Sequence, residues 1–117
     1  MHNSHNEFWN YLETLIAQSE IVIDRPRDSA HPVYADTIYP LDYGYLAGTV
    51  AADGGGIDIW LGTLDDKQVT GIVSSIDLLK KDAEVKILYG CTEDEMQIIL
   101  AFLNQGDQRG ILIKRES

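Results

Sequence analysis

The stretch Asp53-Gly54-Gly55-Gly56-Ile57-Asp58-Ile59-Trp60-Leu61 frames the reading of the whole chain. Consecutive glycines reach backbone conformations closed to other residues, and they let the chain turn tightly or approach a ligand. They run directly into an alternation of Ile57, Ile59 and Leu61 with Asp58 and Trp60, which is the period-two pattern of a strand. Two more strands are expected downstream, from Val69 to Ser75 and from Ala83 to Tyr89, with the turn Asp65-Asp66-Lys67 ahead of them. Ile21 to Ile23 reads as a short β-branched strand, and Ile111 to Ile113 as a short last one. Helices are expected at both ends. Ser4 and Glu7 make a capping box ahead of an apolar stripe of Phe8, Leu12, Leu15 and Ile16. Thr92 and Glu95 make a second box, followed by Met96, Ile99, Leu100 and Leu103, with Gly106 as the stop. Short strands between two helices imply a mainly β fold, a small curled barrel with one helix N-terminal and one C-terminal, packed outside.

The chain is long enough for one domain, residues 1–117, and its 44% hydrophobic and 24% charged content can bury a core without disulfide or metal staples. Nine Lys and Arg against nineteen Asp and Glu give a formal net charge of −10. Such a surface repels phosphate backbones, which disfavours a nucleic-acid module, and attracts divalent cations. Cys91 is the single cysteine and fits a reducing compartment. The first residues lack the basic and apolar regions of a signal peptide, and no apolar run approaches membrane-spanning length. The expectation is a cytoplasmic protein with no membrane or nucleic-acid partner.

Between Asp24 and Thr49 the composition changes. All three prolines, Pro26, Pro32 and Pro40, fall here with Tyr34, Tyr39, Tyr43 and Tyr45. Proline cannot donate to a ladder or sit inside a helix, so this segment is expected to be irregular or edge structure forming a packed functional loop.

Four groups of residues carry chemistry. Asp53 and Asp58 bracket the glycines, and hard oxygen ligands on a flexible turn suit Mg2+ or Ca2+; the plainer role is an acidic turn. Asp77 and Asp82 fall on a loop between two expected strands, while Glu84 and Lys86 share a strand face. The plainer role there is a solvated turn with an ion pair worth little. Tyr39-Pro40-Leu41-Asp42-Tyr43-Gly44-Tyr45 offers hydroxyls that hold a carboxylate cluster in its anionic form, or simply aromatic core. Arg25 and Arg27, either side of Pro26, can clamp a phosphate or be surface charge. His31 is a ligand, a base or a structural residue. The chain has no P-loop, dinucleotide fingerprint, C-x-x-C or H-E-x-x-H.

In their order and spacing these segments resemble the soluble family I inorganic pyrophosphatases. Tyr39 to Tyr45 matches that family's Y-P-x-x-Y-G-Y loop, and Asp53 to Asp58 is similar to its D-x-D-x-x-D signature. Gly71 to Lys86 resembles the segment with its later two metal-binding aspartates, and Ile21 to Asp24 its early strand ending in an acidic residue. The resemblance runs from Ile21 to Lys86. It implies an OB-type five-stranded β-barrel with flanking helices, and Mg2+-dependent (or Mn2+-dependent) hydrolysis of pyrophosphate to phosphate. It also implies that Asp53, Asp58 and Asp82 hold the tightest metal. Asp77 joins Asp82 at a second ion, and Asp24 helps position another. Tyr43 tunes the carboxylates, which makes Tyr43 and Asp58 catalytic. Arg25, Arg27 and Lys86 stand as substrate-binding cations for pyrophosphate or another small phosphate compound. A homo-oligomer is left open.

The chain also departs from the family pattern. Gly55 replaces the middle Asp of the signature, and Glu84 stands where the family has a Lys. The segment between Asp24 and Tyr39 is shorter than the family's hairpin, and nothing after Tyr89 matches its Tyr-Lys phosphate contacts. Two readings follow: a Mg2+-dependent inorganic diphosphatase, or a catalytically weak or inactive relative that binds metal or phosphate.

Overall fold

The computed structural model describes residues 4–116, with side chains from residue 6 onward. The Ser4 side chain, on which the capping box read at Ser4 and Glu7 depends, therefore lies outside the described side chains. Among the described residues the elements are α1 (Ser4–Ala17), β1 (Glu20–Arg25), β2 (Asp42–Ala47), β3 (Ile57–Leu61), β4 (Val69–Asp77), β5 (Asp82–Tyr89), α2 (Glu93–Leu103) and β6 (Gln108–Lys114). The strands form one six-stranded sheet in the order β1-β2-β3-β5-β4-β6. Only β3 and β5 pair in parallel; the other ladders are antiparallel. The fold is mainly β with two flanking helices, as the sequence implies.

Two expectations change. Five strands were expected and six form, because β2 lies inside the Pro- and Tyr-rich stretch read as irregular. The prolines fall in the connection from β1, and Pro40 precedes the strand, so Asp42–Ala47 keeps its backbone donors and pairs with β1 and β3. Gly44 has its own reason: a Cβ there would stand 1.8 Å from the Val22 carbonyl oxygen of β1. A closed barrel was also expected. β1 and β6 are instead the two edges of the sheet, and no ladder joins them among the described residues.

Both faces of the sheet are covered. Trp60, Val73 and Leu88 pack on one side with Cys91 and the Met96, Ile99 and Leu103 face of α2. Leu46, Ile59, Val69, Ile72 and Ile87 pack on the other with Trp9 and Ile16 of α1. Adjacent Ile87 and Leu88 are both fully buried, which is why central β5 reads as a continuous apolar run rather than an alternation. Three residues of the α1 stripe pack as expected, Ile16 buried and Leu12 and Leu15 against the core, while Trp9 takes the buried place expected of Phe8, which is 43% exposed and touches Trp9 edge-on. The second helix begins as read. Thr92 Oγ1 accepts from the Glu95 N–H and Glu95 Oε1 accepts from the Thr92 N–H. No helix among the described residues is long and apolar enough to cross a membrane.

Candidate functional site

Strand period and register bring the expected residues together on the α2 side of the sheet. On β5, Asp82, Glu84 and Lys86 alternate with Ala83, Val85 and Ile87 and so share the face of buried Leu88. β3 runs parallel to β5 with Ile59 beside Ile87 and Trp60 beside Leu88, which sets Asp58 alongside Lys86. On β2, Tyr43 lies opposite Trp60, with their rings 4.7 Å apart. Tyr39 stacks on Tyr43 at 5.6 Å.

The centre of this face is a buried ion cluster. Lys86 Nζ donates to Asp58 Oδ2 at 2.8 Å and to Glu84 Oε2 at 3.3 Å. The three side chains are 7%, 16% and 8% exposed, respectively. The Glu84–Lys86 pair expected as a solvated one is therefore desolvated, and its members cannot be removed singly without leaving unpaired buried charge. Burial works against the Lys86 ammonium, but Asp58 first and Glu84 second more than offset it, so its pKa stands above the ordinary value. Burial pushes the Glu84 carboxyl up; Lys86 pulls it back and adjacent Asp58 raises it again, leaving it raised. Tyr43 is raised by burial and then by the Asp58 carboxylate beside it, so its phenol stays protonated. Burial also raises Tyr39, against the Arg25 guanidinium next to it.

A cleft of about 480 Å³ opens over this floor. Lys86 and Tyr43 line it from the sheet, His31 and Tyr39 from the loop before β2, Lys80 from the β4–β5 turn and Phe102 from α2. His31 Nδ1 accepts from the N–H groups of Val33 and Tyr34, so this histidine organises its own loop. Sequence reasoning missed the contribution of Phe102, which sits outside every motif and comes to the cleft only because α2 covers this face.

The remaining expected site residues are less concentrated. Asp77 and Asp82 end β4 and begin β5 as a register pair rather than lying on a loop. Asp77 Oδ1 accepts from the Leu79 and Lys80 N–H groups at 2.9 and 3.0 Å, closing the hairpin turn. Asp53 is exposed, and its Oδ1 accepts from the Gly55 N–H. Asp24 lies 3.7 Å from Arg25. Arg27 is exposed, with its backbone N–H on Asp42 Oδ1.

The implied metal does not fit these side chains. Among the described residues no group of three or more His, Cys, Asp or Glu side chains is placed to hold an ion. One carboxylate of the set expected at the tightest metal, Asp58, already binds the Lys86 ammonium. A dication about 4 Å from that ammonium would be repelled by about 8 kcal/mol at an effective dielectric near ~20.

No family model matches the chain, and no curated protein does. Solved structures do. An inorganic pyrophosphatase from Coxiella burnetii superposes with a TM-score of 0.55 at 15% identity, covering 83% of this chain and 84% of that one. The inorganic pyrophosphatase of Helicobacter pylori gives 0.54 at 13% identity, covering 80% and 81%. An inorganic phosphatase from Anaplasma phagocytophilum gives 0.55 at 17%, also covering 80% and 81%. At such identities the likeness is one of fold.

Proposed function

We propose that this chain is a pyrophosphatase-type domain, residues 1–117, that binds pyrophosphate or a related small phosphate compound without hydrolysing it through a metal cluster. The observation that carries this reading is the Lys86 ammonium, 2.8 Å from Asp58 at the point where the family resemblance calls for a metal. Lys86 supplies the floor of the cleft with a cation, Lys80 stands at its rim, and Arg25 lies next to Tyr39, a residue of its lining. These are the groups that meet a small anion on an otherwise acidic molecule. On this reading the open sheet is the family barrel parted at the seam between β1 and β6, and the protein works in the cytoplasm.

Hydrolysis with Mg2+ or Mn2+ is the second reading. It is favoured by one arrangement: Asp58, Asp77, Asp82 and Glu84 share a sheet face, with Tyr43 against Asp58. Two measurements on the purified chain separate the readings. Calorimetric titration with pyrophosphate in the absence of divalent ions should show binding, and phosphate release from pyrophosphate should stay near background with or without Mg2+. Rapid Mg2+-dependent release overturns the binding reading in favour of the hydrolytic one.

A further inference from the structure

The pyrophosphatase likeness and the charges on β5 disagree for a specific reason. Acidic Glu84 and basic Lys86 follow one another on the same strand face, and Asp58 reaches the ammonium from the neighbouring strand. Surface lysines swing away when an ion arrives. This one is only 7% exposed, on a strand held between β3 and β4, and it is hydrogen-bonded to two carboxylates. The charged groups facing it are Asp58 and Glu84, with the Tyr43 hydroxyl behind Asp58.

We propose that the Lys86 ammonium is a resident cation that takes the place of a divalent metal between Asp58 and Glu84. The site is then built and held without a metal ion. Removing the ammonium turns the same two carboxylates into a divalent-cation site. The chemistry follows from burial: two neighbouring carboxylates in a poorly solvated place must be neutralised by a proton or by a cation. Lysine does this permanently. Without it, a divalent ion competes with protons for the vacancy. The proposal rests on the non-hydrolytic reading of the cleft and deepens it.

The test uses the full chain and Lys86→Met, which keeps the length of the stem and removes the charge. Mn2+ is the probe, followed by calorimetry and by thermal unfolding with Mn2+ or with a chelator. Wild type should unfold at the same temperature in both conditions. Lys86→Met should unfold lower in chelator, recover with Mn2+, and bind Mn2+ at least about tenfold more tightly than wild type. Equal Mn2+ affinity in the two proteins overturns the proposal. If Lys86→Met does not fold, paramagnetic broadening by Mn2+ in wild-type NMR spectra decides. Sparing of the resonances of Asp58, Glu84 and Lys86 supports a resident ammonium, and selective broadening there overturns it. The metal-free pyrophosphate titration is a separate arm: its failure alone removes the phosphate ligand and leaves the lysine-for-metal exchange standing.

Discussion

Arg25 and Arg27 stand one proline apart and meet different surroundings. Arg25 is a β1 residue opposite Tyr43, with its guanidinium next to Tyr39 of the cleft lining. Arg27 is exposed beyond the strand. A charge-assisted contact to a bound phosphate is worth roughly 1.5–3 kcal/mol. Arg25→Ala should therefore weaken pyrophosphate binding by roughly ten- to a hundredfold. Arg27→Ala should change it by less than about threefold, as an exposed rim charge does. Metal-free calorimetry on both variants checks the split; equal losses would mean that the two act as one clamp. The same contrast explains what was legible here. Tyr43 near Asp58, and Glu84 beside Lys86, follow from motif and strand period. The burial of that pair does not, because it depends on α2 and on the aromatic wall of Tyr39 and Trp60 closing over the face. The grouping of Asp53 and Asp24 with Asp58 also fails to follow from spacing. Each lies in a turn or bulge with a local partner of its own, Gly55 or Arg25.

At the scale of elements, α2 is the best-announced part of the chain because its stop and start are local chemistry. Glu95 does more than close the capping box: its Oε1 also accepts from the Thr63 N–H at 3.1 Å, tying the helix start to the β3–β4 connection. Burial would raise its carboxyl, but the N–H groups of Thr92 and Thr63 outweigh that and hold it below the ordinary value. A depressed folded pKa contributes stability above the unfolded value of 4.5, lost as pH falls through the folded one. Glu95→Ala should cost about 1–2 kcal/mol at neutral pH, read from urea midpoints, and the gap to wild type should narrow below pH 4.5. A gap that holds constant into acid would assign the loss to packing instead. Glu84 acts in the opposite sense, since its raised carboxyl favours the folded state as pH falls toward 4.5. The elements that escaped the sequence reading did so through tertiary contacts. β2 is a strand because β1 and β3 flank it, despite its tyrosines and nearby prolines. β6 extends from the three expected residues to Gln108–Lys114 because β4 templates it. The Asn104 side chain meets both the N–H and the carbonyl of Gly110, which shields this sheet edge from pairing with another chain.

For the whole molecule, the groups with raised pKa values above neutrality all push the same way. Cys91 is buried where α2 meets the sheet, and burial, helped by nearby Glu95, lifts its thiol from 9.0 to about 12. Tyr43 and Tyr39 are raised from 10.0, and Lys86 from 10.5. In each case the folded chain holds a proton that the unfolded chain releases first. The unfolded state then binds fewer protons, so stability falls with rising pH. For Lys86 the stability is complete below its unfolded value and is lost as pH rises toward the folded one. The loss has an order. Between pH 9.0 and 10.0 the thiol alone among these groups has passed its unfolded value, and one such group removes up to about 1.4 kcal/mol per pH unit. Above that range the tyrosines and Lys86 join, on a chain already at a net charge of −10. Stability measured by urea unfolding should therefore decline from near pH 9 and steepen above 10. Cys91→Ala should start less stable through lost packing, yet stay nearly flat from pH 9 to 10 and then follow the wild-type decline. An equal slope in both proteins from pH 9 to 10 would show that the thiol ionises in the folded chain as readily as in the unfolded one. The early loss would then have to come from the growing negative charge of the whole surface.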